Sequence, residues 1–382
     1  MLNFDYSIPT IVHFGKGQIS HLPDLARYGR RVLLVYGGGS IKKMGLYDTV
    51  KQLLADFEIT ELSGVEPNPR IQSVREGVRL CREHQIEAVL AVGGGSVIDC
   101  AKVIAAGARY EGDAWDLVLD GEKIKDALPL VSVLTLAATG SEMDAFAVIS
   151  DMEKNDKLGT GSPLLKPKMS ILDPEYTYTV SKKQTAAGTA DIMSHIFENY
   201  FTREDGAYVQ ARFCESLLRT CIKYGPVALR EPDNYEARAN LMWTSSLAIN
   251  GLLSYGADVE WCVHPMEHEL SAFYDITHGE GLAILTPYWM EHVLSEKTAE
   301  KFAEFGENVF GIHEENHMQA AKKAIACTRE IFAEMGLPSR LSQVGIGEEK
   351  LAVMAAKAAR GLEDAFVPLT EEDVLAIYRA AL

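Results

Sequence analysis

Six cysteines in 382 residues, none of them in a C-x-x-C pair, exclude the disulfide framework of a small secreted domain. Cys81, Cys100, Cys214, Cys221, Cys262 and Cys327 are scattered, several inside apparent helices, as reduced buried thiols are, so a cytoplasmic protein is expected. Basic charge is scarce too: 37 Lys and Arg against 54 Asp and Glu leave a formal net charge of -17. Such a chain repels nucleic acid phosphates and anionic lipid, and no local basic patch offsets it, so neither is expected as a partner. No uninterrupted apolar stretch approaches the length of a membrane span, and Met1 to Thr10 lack a basic start followed by an apolar run. Internal repeats and low-complexity linkers are missing as well. What remains is a globular chain, long enough for two domains, that acts on a small molecule.

The pattern of elements changes once along the chain. From Arg31 to Leu134, short aliphatic runs alternate with helical segments: Val32 to Tyr36, Lys43 to Phe57, Ala88 to Val92, Val97 to Ala106 and Leu128 to Leu134. That alternation predicts βαβ units and a mostly parallel sheet. After Asp173-Pro174 the period becomes helical, in Tyr208 to Ile222, Glu236 to Leu253, Met318 to Met335 and Leu351 to Ala359, with Thr370 as a cap for the last helix. We expect an α/β nucleotide-binding domain with a parallel sheet over residues 1–181 and an all-helical metal-binding and substrate domain over residues 182–382. A site built from both would lie in the cleft between them.

Two strands end in the same four residues. Val32 to Tyr36 runs into Gly37, Gly38, Gly39 and Ser40, and Ala88 to Val92 runs into Gly93, Gly94, Gly95 and Ser96 and then into a helix. Glycines at a strand-to-helix turn let a phosphate reach backbone N–H groups and the positive end of the helix, although glycine turns also occur wherever the backbone needs them. Neither copy is the G-x-G-x-x-G fingerprint, and no acidic residue ends the strand where a ribose 2′-hydroxyl would be held. Instead Ser40 is followed by Lys42 and Lys43, which suit a 2′-phosphate or else are solvated surface charge. A third strand leads into Thr135, Thr139, Gly140 and Ser141, hydroxyls that can serve phosphate or ribose and that are also ordinary turn chemistry.

Asp191 and His195 are four residues apart in an apolar helical segment, one turn apart on a single face. Alone they read as a hydrogen-bonded pair. The second cluster, His264, His268 and His278-Gly279, puts three of the ten histidines within fifteen residues. One Asp with three or four His offers mixed nitrogen and oxygen ligation suited to Fe2+ or Zn2+, and too few carboxylates for calcium. His313 and His317, also four apart, sit among Glu314, Glu315 and Asn316 and read as a solvated surface pair.

An Asp-x-x-x-His segment, then some seventy residues later H-x-x-x-H, ten more residues and His-Gly, resembles the iron-containing alcohol dehydrogenases over essentially the whole chain, a two-domain plan shared with dehydroquinate synthases. The resemblance implies Asp191, His195, His264 and His278 as metal ligands, with His268 lining the site without binding the metal; one helical turn from His264, His268 is the candidate catalytic residue for a proton path, or else only orients a ligand. It implies that Asp144, Lys157 and Tyr176 enclose the nucleotide together with the Thr135 to Ser141 segment. Members that prefer NAD carry an Asp at the first glycine turn, whereas the NADPH-dependent butanol dehydrogenase branch carries the Tyr-Gly-Gly-Gly-Ser found here, so NADP(H) is expected. It further implies hydride transfer between NADP(H) and short-chain alcohols or aldehydes, and a homodimer pairing near the N-terminal strand. Glycerol, propanediol and lactaldehyde specificities stay open, as does a non-catalytic metal or nucleotide binder. A lyase acting on a phosphorylated substrate is disfavoured by the absence of Lys and Arg from Gly251 to Met290.

Overall fold

The computed structural model describes residues 1–203 and 206–382. Its strands are β1 (Ile11–Phe14), β2 (Arg31–Gly37), β3 (Glu58–Val65), β4 (Ala88–Gly93), β5 (Leu130–Leu134), β6 (Phe146–Asp151), β7 (Asp156–Gly161) and β8 (Met169–Leu172). Interleaved with them are α1 (Ser40–Lys43), α2 (Leu46–Leu53), α3 (Ile71–Glu83), α4 (Gly95–Gly107) and α5 (Ala114–Leu119). The remainder is helical: α6 (Lys182–Tyr200), α7 (Tyr208–Arg230), α8 (Tyr235–Ile249), α9 (Val263–Tyr274), α10 (His278–Val293), α11 (Ala299–Phe305), α12 (His317–Glu334), α13 (Leu351–Ala358) and α14 (Glu371–Ala380).

Six strands form one parallel sheet in the order β1-β8-β5-β4-β2-β3, and β6 and β7 pair antiparallel beside it. Alternate residues supply its two faces. Leu33, Val35, Val89 and Ala91 pack with α3 and α4, while Val32, Leu34, Leu90 and Val92 pack with Ile41, Leu46 and Val50. The helix expected over Lys43 to Phe57 is shorter, α2 at Leu46–Leu53, and Gly45 at φ 76° separates it from the preceding turn of α1.

Contacts divide the chain into two compact units, one of residues 7–180 and 233–246, the other of residues 1–6, 181–232 and 247–382. The sequence boundary near Val180 is also where α6 begins, with the Ser181 hydroxyl accepting from Gln184 N. Residues 233–246 differ from the sequence expectation by grouping with the α/β unit: Ser245 Oγ donates to Ala138 O at 3.0 Å, and Ser246 Oγ bonds the buried Glu142 carboxyl. Such side-chain bonds leave no periodic signal.

In the helical unit α6 is the central element, buried at every residue from Thr185 to Tyr200. Asp191, His195, Glu198 and Asn199 therefore sit in a setting where an uncompensated charge would be costly. The cap expected at Thr370 is present and reciprocal, each of Thr370 and Asp373 bonding the other's backbone. No helix among the described residues is long and apolar enough to cross a membrane.

Candidate functional site

Helix α6 presents Asp191 and His195 one turn apart, and α9 presents His264 and His268 in the same way. The third element arrives through a turn. Asp275 ends α9 at φ 51°, and α10 begins at His278. Gly279 is required there, since a Cβ at this position would lie 2.0 Å from the Ala187 backbone oxygen. This close approach of α10 to α6 carries His278 to Asp191.

Three imidazoles converge on one oxygen. Nε2 of His195, His264 and His278 lies 3.6, 3.8 and 3.6 Å from Asp191 Oδ1. These separations are too long for hydrogen bonds. They match ligands on a common ion, because donors at about 2.1 Å in tetrahedral array stand about 3.4 Å apart. Asp191 Oδ1 and His264 Nε2 are buried and have no hydrogen-bond partner, a costly arrangement that a divalent cation would relieve. The four residues fit a metal site.

Two glutamates that sequence reasoning missed orient the ligands. Glu198 accepts from Cys262 N, Val263 N and His264 N at 3.0, 2.8 and 2.9 Å, capping α9, and its Oε1 is 3.1 Å from His264 Nδ1. A proton on Nδ1 facing Glu198 leaves the Nε2 lone pair directed at Asp191. Glu267, fully buried, does the same at His278 Nδ1 and also receives Ser271 Oγ. Each glutamate follows a ligand by three residues, as His195-x-x-Glu198 and His264-x-x-Glu267, and that repeated spacing was the available signal.

Burial works against ionisation of Asp191, yet His195, His264 and His278 hold its carboxyl well below the usual range. Burial lowers His195 to about 3. At His264 burial is outweighed by the Asp191 and Glu198 carboxylates, which raise it to about 9. His268 is half-buried, its ring 6.3 Å from that of His264 and 5.6 Å from that of His278. Trp261 lies beside the centre, its ring 4.6 Å from that of His264 and 5.4 Å from that of His195. His313 and His317 are both exposed.

Replacing Glu198 with Gln keeps its volume and removes the charge that fixes His264. The expected result is a drop in metal affinity of about 10- to 100-fold, measured by chelator competition, with turnover restored by excess metal. Unchanged affinity would show that Glu198 serves only as a helix cap.

The nucleotide candidates lie in the α/β unit. After β2, the turn Gly37, Gly38, Gly39 and Ser40 opens on a cavity of about 460 Å³ lined by Gly38, Ser40, Lys43, Met44 and Thr179. Among the described residues no carboxylate lines it. The two lysines separate here, because Lys42 Nζ lies over the Tyr36 and Tyr47 rings at 5.1 and 4.7 Å. After β4, Gly94 starts α4 with no side chain capping it, and a Cβ on Gly95 would come 2.2 Å from Thr139 Oγ1. Ser96 follows on the first turn. Thr135 N donates to Gly93 O at 3.0 Å, which draws the third strand end against the second.

Three residues singled out by resemblance are more buried than a surface contact would be. Asp144 Oδ1 accepts from Lys102 Nζ at 2.5 Å and Phe146 N at 2.8 Å, tying its loop to α4. Lys157 lies on β7 and is 5% exposed. Tyr176 is half-buried in the 174–177 turn, where burial raises its phenol to about 12.

Residues 9–174 match the family described as iron-containing alcohol dehydrogenase, and residues 185–382 match the C-terminal part of the same family. The chain belongs to the iron-containing alcohol dehydrogenases. It is 58% identical to NADH-dependent butanol dehydrogenase A of Clostridium acetobutylicum, over 99% of each chain. It is 41% identical to the NADPH-dependent aldehyde reductase YqhD of Escherichia coli, over 94% of this chain and 93% of that one. The crystal structure of NADH-dependent butanol dehydrogenase A from Thermotoga maritima superposes with a TM-score of 0.95 at 40% identity, covering 100% of this chain and 99% of the other. As an iron-containing alcohol dehydrogenase the chain is an oxidoreductase acting on alcohols and aldehydes, with a nucleotide cofactor and a divalent metal. This family membership removes the dehydroquinate synthase-like lyase as a reading. The relatives' names divide between NADH and NADPH, and do not extend the NADP expectation to this chain.

Proposed function

We propose that this protein is an NADP(H)-dependent aldehyde reductase and alcohol dehydrogenase for short-chain primary aldehydes and alcohols, butyraldehyde and butanol among them. Convergence of His195, His264 and His278 on Asp191 is the observation that carries the metal-dependent part. Bound there, a divalent cation would supply Lewis acidity toward a carbonyl oxygen, and the reduced nicotinamide would supply hydride. Asp191, His195, His264 and His278 hold the cation, with Fe2+ preferred on family grounds and Zn2+ compatible with the same donors.

The remaining steps belong to the chain's own side chains. Glu198 and Glu267 fix the histidine tautomers, and Trp261 shields the ligand rings from water. His268 passes a proton toward the nascent alkoxide. In the α/β unit the N-terminus of α4 with Gly94, Gly95 and Ser96 receives the pyrophosphate, while Gly37 to Ser40 and Lys43 receive the 2′-phosphate. Thr135, Thr139, Lys157 and Tyr176 serve ribose and nicotinamide, and Asp144 acts by holding their loop against α4. The enzyme works in the cytoplasm as a homodimer.

The test is metal analysis of freshly purified protein alongside oxidation of NADPH and NADH with a panel of short aldehydes. One bound metal per chain and faster NADPH oxidation with butyraldehyde are expected; a metal-free active enzyme or a marked NADH preference would overturn the corresponding part. A relative named 1,3-propanediol dehydrogenase, from Klebsiella pneumoniae and 32% identical over 99% of this chain, favours putting 3-hydroxypropionaldehyde on that panel.

A further inference from the structure

A second group of metal-ligating side chains lies in the α/β unit. His13 is on β1, the edge strand of the six-stranded sheet, and His21 and Asp24 are on the 3-10 helix Gln18–Arg27 that follows it. The His13 and His21 rings are stacked, with centroids 3.9 Å apart and planes within 8°. Asp24 Oδ2 lies 3.7 Å from His21 Nδ1. One ligand atom from each of the three residues can be chosen so that all lie within 4.8 Å of one another.

The strand and the turn after it are held in place independently of the three candidate ligand side chains. His13 pairs in register with Ile171 of β8, Gly15 N donates to Leu172 O at 2.8 Å, and Gly17 N donates to Asp173 Oδ2 at 2.7 Å. The turn between strand and helix is thereby anchored to β8, and His21 is returned beside His13. Stacking two imidazoles is unfavourable if both are protonated. Burial first, and then the neighbouring His21, lower the His13 pKa, which favours the neutral ring that a metal requires.

From this geometry we infer that His13, His21 and Asp24 form a peripheral site for a divalent transition metal of the zinc, nickel or copper type. Two imidazoles and one carboxylate suit those ions and are too poor in oxygen for magnesium or calcium. Ligands on one ion stand about 3 to 4 Å apart, so atoms now within 4.8 Å of one another must close by about 1 to 2 Å. All three side chains are only partly buried and can rotate to do so. The competing partner of Asp24 is Arg27, at 3.3 Å in an exposed pair that contributes little. Three protein ligands leave positions open to water, so binding is reversible, and its effect is to clip the edge strand to the helix that follows. This site is independent of the assignment made for Asp191 and its neighbours.

The test uses full-length enzyme already loaded with zinc, so that the buried donors are filled first. Titration with zinc ion by calorimetry should show one further equivalent per chain, weakened about tenfold or more in His13→Gln and in His21→Asn. Cupric ion added to the same zinc-loaded protein should give an electron paramagnetic resonance signal split by two imidazole nitrogens, and by one in each variant. Both variants should keep wild-type melting temperature without added zinc and wild-type aldehyde reduction, since neither residue belongs to the machinery described above. Absence of a further equivalent, or a further equivalent and copper signal unaltered in both variants, would overturn the site.

Discussion

Asp191→Ala is expected to purify with almost no metal and to lose aldehyde reduction by at least about 1,000-fold, because the Lewis-acid contribution of the ion amounts to several kcal/mol. The size of the effect follows from position. Asp191 Oδ1 is the one atom toward which all three Nε2 atoms point, at 3.6 to 3.8 Å, and it supplies the only negative charge among the four candidate ligands. Without it three imidazoles remain facing one another in a buried space. Metal content by mass spectrometry and butyraldehyde-dependent NADPH oxidation should fall together. Folding is the necessary control: circular dichroism and NADPH binding should survive, since the residues proposed for the nucleotide belong to the other compact unit. A variant that kept full turnover while metal-free would remove the metal from the mechanism, whereas His313→Ala, at an exposed histidine, should change nothing.

How much of this was legible in the chain depends on the range of the interaction concerned. Strands β2, β4 and β5 and the helices α4, α7, α8 and α12 are carried by periodicity, which is local, and were visible within one to three residues at most of their ends. The i,i+4 pairs Asp191/His195 and His264/His268 are local as well. That His278 joins Asp191 could be inferred from the family resemblance; its physical cause, the contact of Gly279 with Ala187 O, joins residues far apart in sequence and has no pattern of its own. Glu198 and Glu267 were overlooked for a related reason. A glutamate in a helix reads as solvated charge until its partner is known, and their partners are the Nδ1 atoms and helix N-terminus of other elements. Thr179 likewise reaches the Gly38 cavity only through the fold. The Lys42 and Lys43 pair was ambiguous for the opposite reason, since adjacent lysines look alike in sequence and are separated only by the aromatic rings that Lys42 covers.

Gly38→Asp should reverse whatever preference the enzyme has for NADPH, lowering kcat/KM for NADPH by about 100-fold or more while leaving NADH use unchanged or improved. Gly38 lines the cavity with Ser40, Lys43 and Thr179, and a Cβ built there meets nothing within 4 Å, so the new side chain is accommodated without displacing a neighbour. Its carboxylate would face the 2′-phosphate directly. Two like charges about 4 Å apart at an effective dielectric of about 20 repel by about 4 kcal/mol, roughly 1,000-fold, and exposure to salt reduces this. With NADH the same carboxylate can accept a hydrogen bond from the ribose 2′-hydroxyl, the arrangement that acidic residues provide at this turn in NAD-binding folds. Because on the proposed reading the cavity receives the adenosine end and takes no part in hydride transfer, kcat at saturating NADPH should move far less than KM. Lys43→Ala should act in the same direction and more weakly, about tenfold, as the loss of one cation rather than the arrival of an anion. Steady-state kinetics with both cofactors on butyraldehyde decides the matter. A cofactor ratio that stays the same in Gly38→Asp would mean that the 2′ position is not read at this turn, and the NADP(H) assignment would fall while the metal centre and the reaction class stood.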